Sequence, residues 1–96
     1  MSEIEAGIAA LRARFVTRSR EDLEALRGWA HAGARPDADH HRILHRLSGA
    51  AGTFGFHALS ARAKAVEDQL PDAASVAGRE LSALLDELAR VAAGGA

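Results

Sequence analysis

The stretch His41-Arg-Ile-Leu-His45-Arg-Leu-Ser-Gly49-Ala-Ala-Gly52-Thr-Phe-Gly-Phe56 decides how this chain is read. Wound as a helix at about 100° per residue, it brings Ile43, Leu47, Ala50 and Phe54 together on one face and turns His45 roughly 170° away from their centre. The histidine is therefore expected to point away from the core. Ser48, Gly49 and Gly52 project within roughly 60° of it. A glycine inside a helix costs on the order of 1 kcal/mol relative to alanine, so two beside one exposed histidine call for a reason. Close approach of another protein surface supplies one.

The rest of the chain divides into helices around this segment. Ser2 and Glu5 form a capping-box pattern, followed by Ile4, Ile8, Leu11, Phe15, Leu23, Leu26, Trp29 and Ala30 at three- and four-residue steps. A polar gap from Thr17 to Asp22 interrupts that stripe. It predicts one long helix or two in series, with Ser19 and Asp22 available as a second capping box and a kink or break near Thr17. Trp29 is assigned to the core. Gly33 to Asp37 is the first clear break, and the next helix starts near Asp37 to Asp39 and ends around Gly55. A third runs from His57 to Leu70, with Leu59, Ala63, Val66 and Leu70 on one face, closed by Pro71. Asp72 or Ser75 caps the last, whose stripe of Val76, Leu81, Leu84, Leu85, Leu88 and Val91 stops at Gly94-Gly95. No segment alternates as a strand does, and the connections are short. The expected architecture is an all-α, up-down antiparallel four-helix bundle, its first helix either continuous or kinked or split near Thr17.

Composition narrows the function. Ninety-six residues suffice for one domain with one small core. Charged residues make up 26% with a net charge of -1, so no basic surplus draws nucleic acid or a membrane surface. A protein partner or a small ligand fits better. The absence of cysteine removes disulfides, thiolate catalysis and cysteine-ligated metals. No run approaches ~18 apolar residues and the first residues lack a leader-like pattern, so a cytoplasmic location is expected. Abundant Ala, Arg and Gly point to a bacterial source.

The chemistry centres on histidine. A neutral imidazole is a nucleophile near pH 7, because its ordinary pKa of ~6.5 leaves a lone pair on one ring nitrogen. His41 and His45 also have the i, i+4 spacing with which two imidazoles share a metal, although no glutamate stands between them as in H-E-x-x-H and a third ligand must come from elsewhere. Arg42 and Arg46 flank His45 with cationic hydrogen-bond donors. His31 and His40 read as solvated helix residues, and His57 as a residue of the first turn after Gly55. No phosphate-cradling glycine loop, Ser-His-Asp series or paired carboxylates accompany them, which argues against a nucleotide-binding kinase or a hydrolase.

His45-Arg46-Leu47-Ser48-Gly49, followed by Gly55, Leu59 and Val66-Glu67, resembles the signature of histidine-containing phosphotransfer (HPt) domains. Loosely, that signature is H-x-L-K-G, a glycine ten residues after the histidine, then a leucine and an L-E pair in the next helix. Ser48 stands where the family has lysine. The resemblance implies a four-helix bundle, often with an additional short helix at its start. It implies that His45, through Nε2, takes a phosphoryl group from the aspartyl phosphate of a receiver domain and passes it to another receiver. The expected protein is thus a phosphocarrier without a cofactor of its own rather than an enzyme, the receiver supplying the aspartates and Mg²⁺. Response-regulator receivers and a hybrid histidine kinase are the implied partners of a monomer. His41, Arg42, Arg46, Ser48, Gly49 and Gly52 are the candidates for supporting the phosphoryl group or docking the partner. Two alternatives stand beside this: an HPt-like interaction bundle that accepts no phosphate, and a metal-binding bundle built on His41 and His45.

Overall fold

A computed structural model describes residues 2–32, 37–70 and 78–94 of the chain. Four helices follow in order: α1 (Glu3–Ala32), α2 (Ala38–Thr53), α3 (His57–Glu67) and α4 (Gly78–Ala92). Each packs on its two neighbours in the ring α1-α2-α3-α4, alternating in direction, and the described residues contain no strand. Leu26, Leu44, Leu47, Leu59, Val66, Leu84 and Leu88, drawn from all four helices, are fully buried at the centre. At about 1.5–3 kcal/mol for each large aliphatic side chain removed from water, this cluster is the main force that closes the bundle. Trp29 is buried in it, as its place in the stripe requires.

Local chemistry sets the helix ends. The Glu5 N–H donates to Ser2 Oγ at 3.0 Å, opening α1. At the start of α2 the His40 N–H donates to Asp37 Oδ1 at 3.0 Å while the Asp37 N–H donates to His40 Nδ1 at 3.1 Å, a reciprocal capping box. That backbone N–H of His40 favours the charged carboxylate and holds the Asp37 pKa below its ordinary value. His40, expected to be a solvated helix residue, instead stacks on Trp29 with ring centroids 4.5 Å apart and joins the end of α1 to the start of α2. At the other end of α2, Phe56 N–H reaches Ala51 O at 2.8 Å and Gly55 N–H reaches Gly52 O at 3.3 Å. This Schellman closure needs a left-handed residue, and Gly55 supplies it at φ 85°. The reversal delivers Phe56 into the core, its ring 5.5 Å from that of Phe15. Pro71, the caps at Asp72 or Ser75, Val76 and Gly95 lie outside the described residues.

One open choice is resolved and two expectations change. First, of the continuous and split readings α1 takes the continuous one, and Ser19, the candidate second cap, instead bonds back into the helix from Oγ to Phe15 O at 2.9 Å, as Thr17 Oγ1 does to Ala13 O at 3.1 Å. Second, Ile4, Ile8 and Leu11 are exposed by 76%, 55% and 50% instead of joining the core. The 30 residues of α1 span about 45 Å, whereas α2, α3 and α4 have 16, 11 and 15 residues and reach only half as far. Third, the buried line of α2 is Leu44, Leu47 and Ala51, with Ile43, Ala50 and Phe54 only half-buried. This rotates the core face by roughly 60° from the sequence pattern. His45 consequently lies on the flank of α2 beside α3, not directly opposite the core.

Candidate functional site

That flank position puts His45 within reach of the last residue of α3. The imidazole is 79% exposed, and its Nδ1 lies 2.8 Å from Oε2 of Glu67, whose side chain is only 10% exposed. A carboxylate oxygen accepts, so Nδ1 carries the proton and the lone pair sits on Nε2, on the other side of the ring. The α2–α3 seam that makes this possible is tight one to two turns further on. Ser60 Oγ donates to the Ser48 carbonyl at 2.7 Å, and a Cβ built on Gly52 would lie 3.3 Å from Ser60 Oγ. A side chain at Gly52 would therefore press on Ser60, so a small residue there also answers to helix approach within the bundle, beside the docking role expected of it. Gly49 does face open space, with nothing within 4 Å of a Cβ placed there. The Ser48 side chain sits beside it, half-buried.

The remaining candidates are distributed around this pair. His41 Nε2 comes to 3.4 Å from the same Glu67 oxygen, and its ring stands edge-on to that of His45 at 6.5 Å. Glu67 thus gathers both histidines, yet no three His, Asp or Glu side chains among the described residues form a group able to hold a metal ion. Arg46 is turned across the bundle: its Nη2 donates to Asp22 Oδ1 at 2.6 Å, joining α2 to α1. Burial pushes the Asp22 pKa above its ordinary value even though Arg46, and Arg18 at 3.8 Å, pull it down. Arg42 pairs with Asp39 one turn back along α2. Both arginines expected beside His45 are therefore engaged with carboxylates. Lys64, one turn before Glu67 on α3, pairs with Asp68 at 2.8 Å, and that hydrogen bond raises its pKa.

Glu67 is the residue that periodicity and spacing do not reveal as part of the site. Its only signal is its place in Val66-Glu67, after Leu59, and its role appears only when α3 folds back against α2. Together the two helices present an exposed nucleophilic nitrogen whose tautomer is fixed from behind, flanked by a small open position at Gly49. Such a surface can accept an electrophile delivered by a partner. No helix among the described residues is long and apolar enough to cross a membrane. No curated protein and no solved structure matches the chain. The family model for the Hpt domain matches residues 10–94, and the chain belongs to that family.

Proposed function

We propose that the chain is a phosphocarrier of a two-component relay in which His45 alone accepts the phosphoryl group. The observation that carries this reading is the exposed His45 ring with Nδ1 held on Glu67. Its Nε2 lone pair attacks the phosphorus of a receiver's aspartyl phosphate; the N–P bond forms, the acyl O–P bond breaks, and the aspartate leaves as carboxylate. The ring gains positive charge as its lone pair is donated, and the Glu67 carboxylate opposes that charge through the Nδ1 proton. Return of the phosphoryl group to a second receiver reverses these steps. The receiver brings its own aspartates and Mg²⁺, so the bundle needs to present only a correctly oriented nitrogen. A receiver placed over His45 lies across Ser48 and Gly49, where the surface is low.

The experiment is incubation with a receiver domain phosphorylated by a small-molecule phosphodonor, followed by mapping of acid-labile phosphate. Phosphate on His45, and its loss in His45→Gln, is the expected result. Receiver binding without transfer would favour the interaction-bundle alternative. Label on His41 would overturn the assignment.

A further inference from the structure

We infer that the first twelve residues of α1 pair with the same segment of a second copy in antiparallel orientation, making the protein a dimer rather than the monomer expected from sequence. Every residue from Ser2 to Arg14 is exposed, and among them Ile4, Ile8 and Leu11 lie within about 40° of Phe15 around the helix. Their 4-3-4 spacing, continued to Phe15, is that of a two-helix seam. A helical segment this short gains little stability from propensity alone, and Gly7 within it lowers that further, so its apolar line requires a packing partner.

Geometry selects the partner. Because the line continues the core-facing side of α1, a second α1 laid on it in parallel would run into the space that α2, α3 and α4 fill below Phe15. In antiparallel orientation the second bundle lies beyond the opposite end, and each overhang covers the other over its whole length. Charge agrees: Glu3 and Glu5 flank Ile4 at one end of the line, and Arg14, with Arg12 whose guanidinium lies 4.5 Å over the Phe56 ring, stands between Leu11 and Phe15 at the other. Two-fold pairing about a point near Ile8 sets the acidic end of one segment along the basic end of the other, whereas parallel pairing sets like beside like. A receiver on His45 does not cover this line. Arg46 places His45 at the level of Asp22, some 16 Å along α1 from Leu11. The family match begins at residue 10, so Ile4 and Ile8 precede it. One short helix pair buries less than the ~800 Å² per partner of a standard interface, so the dimer forms in a concentration-dependent way.

Sedimentation velocity of the full chain from roughly 10 μM to 1 mM tests this. The parent is expected to shift from one to two chains, and Ile8→Glu to remain a single chain throughout while accepting phosphate at the parent rate. Arg14→Glu should weaken association about fivefold and Arg14→Glu with Glu3→Arg should restore it. With no native cysteine, orientation is read by oxidation: Ile8→Cys, near the two-fold axis, should cross-link to itself and Ile4→Cys should not. A parent that stays monomeric across the range, a dimer that survives Ile8→Glu, or equal cross-linking by both cysteine variants overturns the proposal.

Discussion

His41 and His45 sit one turn apart on the same helix and approach the same oxygen of Glu67, yet they present opposite chemistry. His45 engages it with Nδ1 at 2.8 Å and keeps Nε2, the less hindered nitrogen, on the outer side of the ring. His41 spends Nε2 on it at the longer distance of 3.4 Å. The difference comes from register on the α2–α3 seam rather than from exposure, since both rings are largely exposed at 79% and 61%. With His45 as the acceptor, as we propose, the choice between the two histidines rests on which ring nitrogen the neighbouring helix occupies.

The largest effect follows directly. His45→Gln should fold normally and accept no phosphoryl group, while His41→Ala should retain acceptance within about twofold; phosphate that moves to His41 in the first variant would erase the distinction. Next comes the group that creates it. Glu67→Ala frees the tautomer and should slow phosphorylation of His45 by about tenfold or more, with Glu67→Gln recovering part of the rate because its amide oxygen still accepts from Nδ1. Urea unfolding of the Ala variant separates this from a folding defect, since the transfer rate should fall while the protein remains folded under the assay conditions. If Glu67→Ala transfers at the parent rate, orientation by α3 is irrelevant.

Smaller effects concern charge and access around the chosen nitrogen. A phosphohistidine carries about two negative charges and Ser48 offers only a hydroxyl, so Ser48→Lys should raise the transfer rate or phosphoryl half-life several-fold at low salt and less at high salt. Lys64→Ala should lower the same quantity a few-fold in the parent and hardly at all in Ser48→Lys, if α3 supplies the charge that α2 lacks. The smallest expected change separates two glycines. Gly49→Gln, into open space, should gain up to ~1 kcal/mol in thermal or urea unfolding and lose receiver affinity. Gly52→Gln should lose stability through Ser60, and a gain there would leave Gly52 with the docking role alone.

Much of this was legible in the sequence where one element dictates its own behaviour. The positions of α2 and α3, the core roles of Leu47, Leu59, Val66 and Trp29, and the solvent exposure of His45 follow from periodicity and caps. Relations between elements did not. Ser19 reads as a cap in sequence because a hydroxyl serves a cap and a back-bond equally well, and in the continuous helix, with Phe15 and Leu23 buried on either side, it makes the back-bond. The rotation of α2 that buries Leu44 depends on where α3 lies. Arg46 looks available beside His45 until α1 brings Asp22 against it. The same dependence hid Glu67, which comes 22 residues after His45 and meets it only across the seam.

The stacking of Trp29 on His40 has a practical consequence. It is the sole tryptophan, and it sits where α1 ends and α2 begins, far from Ile4 and Ile8 at the opposite end of α1. Intrinsic fluorescence is therefore an unlabelled reporter of that junction and is blind to the first turns of α1. Far-ultraviolet dichroism counts every helical residue, overhang included. A dilution or heating series in which the dichroism falls before the emission changes would register the overhang unwinding by itself, with the four-helix body and its histidine surface still intact.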